Sequence, residues 1–133
     1  MAHVFMDNKD IAVEWFRIAE IDLLSAEYLQ NMRPIPVEII CYHCQQSAEK
    51  YLKGFIALNG EEIRRTHDLV VLNKVCLTYD EGFAKLVEDC LMLTDYSVSV
   101  RYPFPMNVNE DDMQLALKSA RRIKEYVLTK ANL

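Results

Sequence analysis

The sequence predicts an all-α fold: an up-and-down four-helix bundle with an additional short helix, about five helices forming one domain over residues 1–133. Three observations lead there. Apolar residues recur at three- and four-residue spacing through most of the chain, the period of a helix with one buried stripe. Only three glycines and four prolines are present, too few for the many tight turns of an all-β chain. The interruptions in the period fall where helix-ending residues gather. With half its residues hydrophobic and about a quarter charged, the chain is composed like a globular protein and is long enough to close a core.

The first helix is expected from about Lys9 to Leu29, with Ala12, Trp15, Phe16, Ala19, Leu23 and Ala26 as its apolar stripe. Asp22 falls in that same stripe. The run Asn31-Met32-Arg33-Pro34-Ile35-Pro36 stops the helix, because two prolines cannot continue it. A second helix opens after Pro36 and closes near Asn59-Gly60. Val37, Ile40, Cys41, Cys44, Ala48, Tyr51, Leu52 and Phe55 share its core face, while His43, Gln46, Lys50 and Lys53 share roughly the opposite one, beside Ile39 and Tyr42. A merely solvated face is usually Lys and Glu. An imidazole, an amide and two ammonium groups form a surface suited to contact.

The third helix is expected over about Asp68 to Tyr79, capped by Thr66 or His67, and the fourth over about Phe83 to Thr94. Residues 95–103 alternate like a strand, yet nothing else in the chain offers a strand to pair with. Pro103 and Pro105 make the next piece extended. The last helix opens at Asn109, with Glu110, Asp111 and Asp112 in the first turn and Arg121, Arg122, Lys124 and Lys130 toward its C-terminal end, each sign where the helix dipole favours it. Met113, Ala116, Leu117, Ala120, Ile123 and Val127 face inward.

Several function classes are disfavoured. A net charge of −5 argues against a non-specific nucleic-acid coat, although it leaves room for a local basic pocket. No apolar run reaches about 18 residues, so no membrane helix is expected. The N-terminus lacks a signal-peptide pattern, which points to the cytoplasm and to reduced thiols. Cys41-Tyr42-His43-Cys44 has redox or zinc spacing, but both thiols lie on an apolar helix face and no second pair completes a tetrahedral site. Core packing is expected for Cys41, Cys44, Cys76 and Cys90, with no metal and no cofactor. There is no Gly-rich phosphate loop, no Glu-x-x-His pair for a di-iron bundle, and no motif for a Ser- or Cys-based triad.

Two features are candidates for chemistry. His67-Asp68 is either a helix cap or an imidazole set at a helix N-terminus, where backbone N–H groups also hold phosphate. Asp22 on a buried face requires a partner, as part of a structural ion pair or of a ligand site. Arg101, placed between hydrophobic residues, is the favoured partner over Lys50 and Lys53, and Gln45 is close enough to the core edge to join it. Ile18, Ile21, Ile39 and Ala57 lie outside the core stripes, which suggests a homodimer.

Four segments, W-x3-A-x2-DL-x2-A from Trp15, His43-Cys-Gln-Gln-Ser-Ala-Glu-Lys-Tyr-Leu-Lys-Gly-Phe55, His67-Asp68-Leu69, and Arg101-Tyr102-Pro103 after Tyr96, together resemble the HEPN domain (higher eukaryotes and prokaryotes nucleotide-binding). The likeness covers Trp15 to about Val127. It implies a helical bundle that often dimerises and works beside a small nucleotidyltransferase, as in toxin–antitoxin pairs. Many such domains are metal-independent ribonucleases with an Arg-x4–6-His motif, whose His and Arg would activate the ribose 2′-OH and stabilise charge on the phosphate. Here no His follows Arg101 in that window. The site residues implied for binding nucleotide or RNA phosphate are Arg101, Tyr102, His43, Lys50, Lys53, Gln46, His67, Asp68 and Asp22. The alternatives are a ribonuclease with a displaced His and a helical adaptor without ligand.

Overall fold

The computed structural model describes residues 6–97 and 107–133. Among them are five α-helices and no strand: α1 (Asn8–Leu29), α2 (Val37–Leu58), α3 (Leu69–Leu77), α4 (Val87–Thr94) and α5 (Glu110–Ala131). Two short 3₁₀ turns, Glu81–Leu86 and Asp95–Ser97, lead into and out of α4. The expected all-helical bundle is the observed one.

Helix starts follow side-chain chemistry. The Asp7 carboxylate accepts from Asp10 N at 2.8 Å, and at α5 Asn109 and Asp112 cap each other's backbone N–H groups at 2.9 and 3.0 Å. At the end of α2, Gly60 takes a φ of +78°, a left-handed turn that a side chain would strain.

Helix α2 is the centre of the bundle, packed along α1 and also against α3 and α5. Its core residues Ile40, Cys41, Cys44, Ala48, Tyr51, Leu52, Phe55 and Ile56 are buried between Ala12, Phe16, Ala19 and Leu23 of α1 and Met113, Leu117, Ala120 and Ile123 of α5. Each fully buried residue of Leu size contributes roughly 1.5–3 kcal/mol relative to exposure. Gly54 permits the close crossing of α1, since a Cβ there would collide with the Phe16 ring. Phe55, Phe83 and Tyr126 form a chain of rings with centroids 4.7 and 4.9 Å apart, joining α2 to α5 through the turn before α4.

Three expectations are corrected. The cap of α3 is Asp68, not Thr66 or His67; its carboxylate accepts from Val70 N at 2.9 Å and Val71 N at 3.3 Å, while Thr66 Oγ1 holds Asp68 N. The fourth helix begins at Val87 rather than Phe83. Asp80 caps a 3₁₀ turn there, and the Phe83 carbonyl is drawn off the helical ladder by Asn73 Nδ2 at 2.9 Å. Ala57 is buried, whereas Ile18, Ile21 and Ile39 are exposed as expected and are joined on α1 by Leu24 and Tyr28. Asp95–Ser97 turns rather than starting a strand; the rest of that segment lies outside the described residues.

All four cysteines are free and buried in the core. Burial pushes the Cys41 thiol up to about 11 and the Cys90 thiol to about 12, with Cys44 and Cys76 raised further. Such thiols are inert at neutral pH. No helix among the described residues is long and apolar enough to cross a membrane.

Candidate functional site

The polar side of α2 is a continuous ridge between α1 and the segment that enters α3. Two carboxylates organise it. Asp22 reaches across from α1 and meets two residues of α2 that stand two helical turns apart on one side: His43 Nδ1 at 3.0 Å and Lys50 Nζ at 2.5 Å, one on each carboxylate oxygen. The Asp22 side chain is mostly buried. Burial alone would push its carboxyl up, but the hydrogen bonds from His43 and Lys50 outweigh that and hold it below the usual carboxylate range.

Lys50, ranked behind Arg101 as a partner from the sequence, does bind Asp22, whereas the Arg101 expectation falls outside the described residues. Asp22 and Lys50 are both mostly buried, at 13% and 22% side-chain exposure, and the ammonium sits on the carboxylate. Arg101 and Tyr102 lie outside the described residues.

Glu49 is the second organiser. Its side chain is only 5% exposed, and its oxygens accept from Lys53 Nζ at 3.0 Å, Gln45 Nε2 at 3.2 Å and His67 Nδ1 at 2.9 Å. Gln45 Nε2 also donates to the His67 carbonyl at 3.1 Å, which fixes the segment entering α3 against α2. Gln46 Nε2 donates to Gln45 Oε1 at 2.7 Å, so the amide pair leads from one cluster toward the other. Lys53 is therefore buried rather than on the open face expected for it. Glu49 neutralises its charge, and the Trp15 ring lies 5.9 Å from its ammonium.

Of the sequence candidates, His43, Lys50 and Asp22 come together, and Lys53, Gln46 and His67 gather around Glu49 and Gln45. Asp68 is committed to the α3 backbone. Glu49 itself escaped the sequence reading. Its signal was the four-residue spacing to Lys53 on the same helix. Both imidazoles bond a carboxylate through Nδ1, and neither Nε2 has a hydrogen bond among the described residues. His67 is the more open ring, with 56% of its side chain exposed. Just before it, Arg64 and Arg65 line an open groove with Glu61, Glu62 and Ile63. No group of three or more potential metal-ligand side chains occurs among the described residues. An apolar notch of about 220 Å³ on α1, lined by Met6, Ile11, Glu14, Trp15 and Ile18, lacks a convergent set of polar groups.

A five-helix bundle folded around a central helix with this imidazole and ammonium ridge defines the class of the protein. The sequence matches the family model of the HEPN domain over residues 12–130, and the chain belongs to the HEPN family. A crystal structure of an archaeal HEPN homologue superposes with a TM-score of 0.72 at 27% identity, covering 90% of this chain and 97% of that one. A structure from Thermus thermophilus gives a TM-score of 0.74 at 25% identity, with coverage of 90% and 97%. No curated protein matches the chain in sequence.

Proposed function

We propose that this HEPN chain is a dimeric module that binds nucleotide or RNA phosphate along the polar ridge of α2. It would act with a nucleotidyltransferase partner in a toxin–antitoxin-like pair, in the cytoplasm. The observation that carries the phosphate reading is the pair of imidazoles, each backed at Nδ1 by a carboxylate that also binds Lys50 or Lys53. Protonated, their Nε2 nitrogens are charge-assisted donors of the kind phosphate oxygens accept. Arg64 and Arg65 add guanidinium groups three and two positions before His67 along the sequence. Arg101, outside the described residues, is the further guanidinium that the family resemblance marks for phosphate.

The dimer is supported by the outer side of α1, where Ile18, Ile21, Leu24 and Tyr28 stand exposed, and by Ile39, exposed on α2. Light scattering at tens of micromolar (the order of ordinary assay concentrations) should report two subunits; a strict monomer there removes this part.

Phosphate binding is tested by calorimetric titration with nucleotides and short RNA. Arg101→Lys should weaken binding, because the planar fork is lost while the charge is kept, and Arg101→Ala should weaken it further. Equal affinity in all variants, or no binding by any, would favour the adaptor reading. The two His–carboxylate pairs also suit general acid–base work, which favours a ribonuclease with a displaced His as the second reading. Metal-independent cleavage of the same RNA, abolished by His43→Ala or His67→Ala, would put it first.

A further inference from the structure

The ridge is charge-balanced by construction. Asp22 and Glu49 carry two negative charges, and Lys50 and Lys53, which they bind, carry two positive ones. With neutral imidazoles, the four groups and both rings sum to zero, so an anion gains little from them. Protonation of His43 or His67 would make that sum positive.

The surroundings decide which nitrogen can take the proton. His43 faces Asp22 of α1, and on α2 Lys50 shares that carboxylate while the Tyr42 ring stands edge-on at 5.7 Å. His67 faces Glu49, with Lys53 and Gln45 on the same carboxylate, and is flanked along its own segment by Asp68, whose oxygen is turned to the α3 backbone. An Nδ1 within 3.0 Å of a carboxylate oxygen is the donor of that bond, so a neutral ring carries its hydrogen on Nδ1 and its lone pair on Nε2.

We propose that Asp22 and Glu49 are positioning residues that hold both imidazoles as Nδ1–H tautomers with Nε2 turned away from the carboxylate, so that the ridge takes up protons at these two nitrogens when it binds phosphate. Each arriving proton converts an Nε2 lone pair into an N–H donor and adds one positive charge, giving the anion the donors and the charge that the neutral ridge lacks. Binding and protonation thus reinforce each other. This rests on the phosphate reading given above, and it commits to how that reading works.

The test has two parts. Titration with inorganic phosphate at neutral pH, repeated in buffers of different ionisation enthalpy, reads protons taken up per anion from the dependence of the heat on buffer. Net uptake is expected, reduced by His43→Gln and by His67→Gln separately. Phosphate binding with buffer-independent heat overturns the coupling, as does uptake that neither variant changes. Absence of any binding at millimolar phosphate overturns the phosphate reading and the coupling together. The positioning is read separately, on the ligand-free protein, from imidazole ¹⁵N shifts at a pH where the rings are neutral. Both should show protonated Nδ1, and Asp22→Ala should return only His43 to the Nε2–H form that predominates in water, with helicity retained. Nε2–H tautomers in the wild type overturn the positioning, whatever phosphate does.

Discussion

Asp22 and Glu49 perform the same task in different surroundings, and the difference explains how the ridge is held. Both bind one imidazole and one ammonium. Asp22 gathers partners from across a helix–helix contact, while Glu49 sits one turn from Lys53 on its own helix and adds His67 from the next segment. Glu49 is the more deeply buried, at 5% side-chain exposure against 13% for Asp22. A charge that has lost more water depends more on its partners. The Glu49 cluster should therefore act as a structural anchor, and the Asp22 cluster as its adjustable neighbour.

The largest expected effect follows from removing the anchor. Glu49→Ala leaves the buried Lys53 ammonium without its carboxylate and the Gln45 amide with only the His67 carbonyl, and should destabilise the fold by about 3–5 kcal/mol in denaturant unfolding. A loss below about 1 kcal/mol would mean that the two clusters do not differ in kind. Asp22→Asn should cost less, about 1–2 kcal/mol, because Lys50 and His43 regain water with little movement. A cycle with Lys50→Met then reads the coupling of the pair directly, expected at about 0.5–1.5 kcal/mol.

Acid should separate the clusters further. The Asp22 carboxyl is held below its unfolded value of about 3.9, so its contribution is present above that pH and disappears as pH falls through the lowered folded value. The stability gap between wild type and Asp22→Asn should hold at pH 5 and above and shrink steadily as the solution is acidified below about 4. A gap that stays constant to the lowest pH at which the protein remains folded would contradict the assignment of Lys50 and His43 as the groups holding that carboxylate ionised. The smallest effect belongs to the outer face of α1. Ile21→Thr should leave monomer stability within about 0.5 kcal/mol while weakening self-association in light scattering.

The same comparison shows what the sequence could reveal. The periodic stripes of α1, α2 and α5 and the Asn109 cap were legible because they depend on neighbours three or four positions away. Lys53–Glu49 is equally local, yet it went unread because α2 was divided into a core face and an open face, and Glu49 stands on the boundary between them. Asp22 was recognised as anomalous, but its partners lie 21 and 28 positions along the chain. Helical phase alone could not show that Lys50 meets Asp22 of α1. The cap of α3 was missed by one residue: Thr66, His67 and Asp68 all have the chemistry, and only the backbone path decides which oxygen meets Val70 N.

The most direct measurement follows the His43 and His67 imidazole resonances while a ribonucleotide is titrated into the protein. If the ridge is the phosphate-binding surface, both rings shift together and saturate at one affinity, and Lys50→Met weakens that affinity for both. Saturable binding that moves neither ring would contradict the assignment of this surface, however tightly the nucleotide is held elsewhere.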